Sequence, residues 1–111
     1  MGYAVAKAVS ALSALEQLGS VTRGHPRSSA LLPCARVRQS GQRILRSYDD
    51  RVYLTQYELT IDLFSRSMDE LDLIEEACVD ALSQIGCALR SALEQTGGDV
   101  MQKTLYFTME H

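Results

Sequence analysis

Histidine is scarce in this chain: there are two, and neither stands where a base is needed. His25 lies beside Pro26 in a stretch without periodicity, and His111 is the last residue. A catalytic histidine requires an orienting partner and a shaped pocket, and the spacing supplies neither. Cysteine is equally sparse. Cys34, Cys78 and Cys87 form no C-x-x-C pair and have no histidine at zinc spacing, so they read as reduced, mostly buried thiols of a cytoplasmic protein. No apolar run approaches the ~20 residues of a membrane-spanning helix. Lys7, Ser10, Ser13, Glu16 and Gln17 interrupt Met1 to Leu18 at helical spacing, which argues against a signal peptide. Ala6 stands where a myristoylation start would place Ser or Thr. Gly97-Gly98 opens a hairpin, with no helix N-terminus behind it to cradle a phosphate. The acids between Asp69 and Asp80 lack the alternating ligands and central glycine of a calcium loop. The expectation is a protein that is no enzyme and holds neither metal nor cofactor.

What is present is pattern. Tyr53, Thr55, Tyr57, Leu59, Ile61 and Leu63 alternate with Gln56, Glu58, Thr60 and Asp62, the mark of a half-buried antiparallel strand. At ~3.3 Å per residue such a strand is roughly 40 Å long. That exceeds the usual five or six residues, so part of it should project beyond the sheet or pair with another chain. Ser67 and Glu70 make an S-x-x-E helix start. Leu71, Ile74, Cys78, Ala81, Leu82 and Ile85 then recur at helical spacing, with Asp69, Glu70, Asp72, Glu75, Glu76 and Asp80 on the remaining surface and Gly86 as terminator.

The other elements follow by the same reasoning. Val5, Ala8, Val9, Leu12 and Leu15 line one face of a first helix over Tyr3 to Leu18, closed by Gly19. Residues 20–30 read as a surface loop, and Leu31 to Gln39 as a strand with Pro33 at its start or on an edge. Residues 40–52 read as a loop or a short return strand. Cys87 to Glu94 alternates weakly as a strand, a turn follows at Thr96-Gly97-Gly98-Asp99, and a last strand places Met101, Lys103, Leu105, Phe107 and Met109 on one face. With 111 residues, 46% of them hydrophobic, the chain fits a single domain over residues 1–111. The class expected is α+β: an antiparallel sheet of about four strands, with the N-terminal helix and a second helix (about 68–85) packed on one face.

Charge is segregated. Residues 20–51 carry seven arginines against Asp49 and Asp50, a balance of +5, whereas residues 52–111 carry eleven acids against Arg66, Arg90 and Lys103, a balance of −8. Opposite poles favour head-to-tail contact between copies or docking on a charged neighbour. The candidate subunit or connector interface therefore comprises Arg36, Arg38, Arg43, Arg46 and Arg51 on one side and Asp69, Glu75, Glu76 and Asp80 on the other. Direct nucleic-acid contact by the arginines is the weaker reading, because Tyr48 is the one aromatic among them and no recognition helix is present. Tyr53, Tyr57, Phe64, Tyr106 and Phe107 suit core and cross-strand pairs better than a stacking platform.

The runs Tyr48-Asp49-Asp50-Arg51, Tyr57-Glu58-Leu59-Thr60-Ile61-Asp62-Leu63-Phe64-Ser65, Ile85-Gly86 and Lys103-Thr104-Leu105-Tyr106-Phe107 resemble the tail-completion (tail-terminator, tail-to-head joining) proteins of long-tailed bacteriophages. The resemblance covers Tyr48 to Glu110 and rests on patterned strands, not on a catalytic signature. It departs at Cys87, where similar members often carry an aromatic. It implies a homo-oligomer, commonly a hexameric ring, on the head-proximal end of the tail tube, contacting the tube protein and the head connector or neck. DNA would pass through the lumen without sequence-specific recognition. The place implied is the virion, at the tail or neck, after assembly in the host bacterial cytoplasm, without a membrane partner. A head-closure or neck ring protein and a small oligomeric ferredoxin-like binding domain are the alternatives.

Overall fold

The alternation that marks residues 53–63 as a strand is realised in a five-stranded sheet with two helices on one face. The computed structural model describes residues 3–23, 32–49, 51–95 and 98–111, except the side chains of Ser47, Tyr48, Val52 and Tyr53. The order is α1 (Tyr3–Ser13), β1 (Ser20–Arg23), β2 (Cys34–Tyr48), β3 (Arg51–Ser65), α2 (Met68–Ser83), β4 (Cys87–Gln95) and β5 (Met101–Glu110). The strands lie in the order β1-β2-β3-β5-β4. Neighbours are antiparallel except β1, which runs parallel to β2 from Ser20↔Cys34 to Arg23↔Val37.

Three expectations are corrected. The start of the expected 20–30 loop forms β1, which brings the sheet of about four strands to five. Four residues of Ser, Val, Thr and Arg are too short for periodicity to show, and they pair because Gly19 N–H donates to Pro33 O at 2.7 Å just before them. The rest of that loop, residues 24–30 with His25, lies outside the described residues. Residues 40–52 are not a separate loop or short strand: β2 runs unbroken to Tyr48 and β3 begins at Arg51. Helix α1 stops at Ser13, not Leu18, although Leu15 and Leu18 still pack against the core. The element order also differs from the β-α-β-β-α-β order of a ferredoxin-like domain.

Helix α2 starts where its cap is. Ser67 Oγ accepts from Glu70 N–H at 3.3 Å. The glutamate does not return directly to the cap amide; its carboxylate accepts from Ser65 Oγ, which itself accepts from Ser67 N–H at 3.2 Å. The reciprocal bond of the capping box therefore passes through one extra hydroxyl. Gly86, at φ 92°, ends the segment in the left-handed region.

The core fills the space between sheet and helices. Ala4, Val5, Ala8 and Leu12 of α1, Leu71, Ile74, Cys78 and Leu82 of α2, Leu59, Ile61 and Leu63 of β3, and Leu105, Phe107 and Met109 of β5 are buried together. Each large side chain among them contributes roughly 1.5–3 kcal/mol by leaving water. Cys34, Cys78 and Cys87 are free and buried. Burial raises the thiol pKa at all three, to about 12 for Cys78, which also faces Glu75, and to about 11 for Cys87.

Candidate assembly surface

Pairing between β3 and β5 runs from Ser65↔Met101 to Gln56↔Glu110, and a reciprocal pair of 2.9 Å bonds between Thr55 and His111 closes it. The β2–β3 pairing continues past that point to Tyr48↔Arg51. The hairpin therefore leaves the sheet as a two-stranded arm. The molecule measures 53 × 23 × 23 Å, with a radius of gyration of 14.6 Å, against about 13 Å for a compact chain of this length. A two-stranded ribbon is marginally stable by itself in water, so an arm of this length gains from something to lie against.

Two irregularities decide what β2 displays. Arg36, Arg38, Arg43 and Arg46 do not share parity, so a regular strand would place Arg43 on the face opposite the other three. Register shifts at Gln39/Gly41 and Ile44/Arg46 insert one residue each. As a result, Arg36, Arg38, Arg43 and Arg46 stand opposite Asp62, Thr60, Gln56 and Leu54, alternate residues of β3 that face away from the helices. The bulges gather four arginines into one stripe. Arg51 sits at the far end of the arm, exposed.

The arginines are not equivalent. Arg36 donates from Nε to Asp62 Oδ2 at 2.7 Å, and a second bond from its terminal nitrogen reaches the same oxygen. Asp62 is 1% exposed and also accepts from Thr104 Oγ1 at 2.7 Å and Gln102 Nε2 at 3.1 Å. Arg38 Nε lies 3.9 Å from Asp62 with half its side chain exposed. Arg43 makes a long 3.4 Å bond to Gln56, and Arg46 is exposed. Arg36 is thus engaged within the chain, while Arg43, Arg46 and Arg51 face water.

The acids divide similarly. Lys103, 8% exposed in its side chain, projects from β5 on the helix side and contacts Asp72 at 2.7 Å, Glu75 at 2.8 Å and Glu94 at 3.4 Å. Burial opposes its charge, but the bonds to these carboxylates outweigh that and hold its pKa above the ordinary lysine value. Glu75 is therefore engaged internally. Asp69, Glu76 and Asp80 stand exposed on α2. Among them projects Leu73, 68% exposed.

Leu73 and its counterpart at the root of the arm, Ile44, were not singled out by sequence reasoning. Leu73 falls out of phase with the Leu71, Ile74, Cys78 and Leu82 stripe, a signal that could have exposed it. Ile44 lies beside Leu45 between two arginines, in a segment whose bulges hide its phase. Starting one turn further along α2, at Ala77, α1 and α2 leave an open groove of about 530 Å³ lined by Ala11, Ala14, Leu15, Ala77, Asp80, Ala81, Gln84 and Ile85. Among the described residues no group of three or more His, Cys, Asp or Glu is placed to hold a metal ion, and no described helix is long and apolar enough to cross a membrane. His111 stacks on Tyr3 with ring centroids 4.1 Å apart. Phe107 is in the core and Tyr57 packs at its edge, while Tyr106 is on the open face of the sheet.

No protein-family model and no curated protein sequence matches this chain. Among solved structures it is similar to a chain described as "Virion of native gene transfer agent (GTA) particle". The TM-score is 0.66 at 16% identity over 98% of each chain. At that identity the likeness establishes a shared fold along the whole chain.

Proposed function

We propose that this chain is a structural subunit of a phage-like virion, forming a ring at the head-proximal end of the tail tube that terminates the tube and joins it to the head connector. The observation that carries this reading is the fold shared end to end with a chain of a gene transfer agent virion. Three features of this chain support it. A projecting arm is suited to subunit contact. An arginine stripe and an acidic helix face supply the two unlike surfaces that a heterologous, ring-closing contact requires. The resemblance of Tyr48 to Glu110 to tail-completion proteins points to the neck of the particle. In this reading the subunit works by association, without turning over a substrate, and DNA passes through the lumen without base recognition.

Electron micrographs of particles assembled without this protein test the reading. Overlong tails, or tails without heads, are expected. Normal particles would reject it.

A further inference from the structure

The two most exposed large apolar side chains among the described residues are Leu73 at 68% and Ile44 at 56%. Leu73 lies on an acidic surface, and Ile44 lies on the strand whose other face carries the arginines. Leu73 stands among Asp69, Glu76 and Asp80 on α2; Ile44 follows Arg43 and precedes Arg46 on β2, at the root of the arm. An apolar centre with a charged surround is the anatomy of an interface core and rim.

We propose that the arm of one copy docks on α2 of the next, with Ile44 seated against Leu73 at the mouth of the α1–α2 groove. This rests on the assembly reading above and names its contact. Leu73, Ala77 and Ala81 follow one another at i, i+4 and i+8 along α2, so the apolar path from Leu73 leads into the groove between Leu15 and Ile85. Asp80 borders that groove and Glu76 flanks Leu73. At the root of the arm, Ile44 pairs with Thr55, on the ribbon face opposite Arg43. Beyond Val37 the outer edge of β2 has no strand partner among the described residues. Long arginine side chains therefore have an open edge around which to reach the carboxylates. Glu75 takes no part, because it holds Lys103. The contact is head-to-tail, since the arm and α2 are different patches of one chain, and such contacts propagate into a ring when the rotation closes.

The test mixes an Ile44→Cys chain with a Leu73→Cys chain under mild oxidation and maps the bridges by mass spectrometry, with wild-type chain as the control for the buried native thiols. A bridge between positions 44 and 73 of different chains is expected in the mixture, and little bridging within either variant alone. A second measurement follows self-association by sedimentation up to millimolar concentration. Arg43→Glu with Arg46→Glu, or Glu76→Lys with Asp80→Lys, should each weaken association about tenfold or more, and all four substitutions in one chain should restore it. Association of the wild type without the 44-to-73 bridge, or insensitive to both charge reversals, overturns this contact and leaves the virion reading standing. A wild-type chain that stays monomeric at every concentration overturns the contact too. The virion reading falls only if particles lacking the protein are normal.

Discussion

Replacing Asp62 should be the most damaging single polar change on the open face of the sheet. The carboxylate is 1% exposed and accepts from Arg36, Thr104 and Gln102. Asp62→Ala leaves a guanidinium, 15% exposed in its side chain, without its carboxylate, and takes the acceptor from two neighbouring donors. Breaking a buried pair on one side costs about 3–5 kcal/mol. Because Arg36 retains some access to water, the lower end applies, about 3 kcal/mol out of a total near 5–15 kcal/mol. In a thermal scan this is a loss on the order of 10 °C. Asp62→Asn keeps the shape and one acceptor but loses the charge assistance, and should cost about 1–2 kcal/mol. The decisive measurement is a double-mutant cycle with Arg36→Met, read by urea denaturation. The two changes should couple by at least ~1 kcal/mol, since the second removes a charge the first has stranded. Additivity within ~0.5 kcal/mol would refute the argument.

Thr60 Oγ1 is fully buried and, among the described residues, is the buried side-chain polar atom without a hydrogen-bond partner. Thr60→Val should therefore be neutral or stabilising by up to about 1 kcal/mol, and a clear loss in urea would reveal an undetected partner. Gly86→Ala should cost about 1 kcal/mol by the same assay, because its φ of 92° disfavours a side chain even though nothing lies within 4 Å of the added carbon. Lys103 has a folded pKa above its unfolded one, so its contribution is fully present below the ordinary value of 10.5 and is lost as the pH rises through the folded value. Wild type should lose more stability than Lys103→Met between neutral pH and strongly alkaline solution; parallel curves would contradict the assigned partners. At pH 8 the folded chain should resist alkylation by iodoacetamide, because burial lifts Cys78 to about 12 and Cys87 to about 11, whereas urea should expose all three thiols.

Local pattern was enough to place β3, α2 and β5, because each buries one side and its period is written in the order of residues. Ser67 and Gly86 bound α2 through backbone requirements that only a few residue types meet, and the length of β3 announced that part of the hairpin would leave the sheet. The segregation of arginines from acids was equally open to reading. What the sequence could not say is which of those charges are already spent. Asp62 alternates onto the polar side of its strand and looks solvated, yet Arg36 from β2 and Thr104 and Gln102 from β5 close over it, an encounter between segments 26 to 42 residues apart. Glu75 looks like a surface acid until Lys103 meets it from β5. The two bulges that bring Arg43 onto the face of Arg38, and hold Arg46 there, have no local signature beyond Gly41, since a bulge is a property of two strands and their register. Composition and period fix which face of an element is apolar; burial and pairing of charge are decided only when distant elements come together, because they depend on distance in space, on which sequence order is silent.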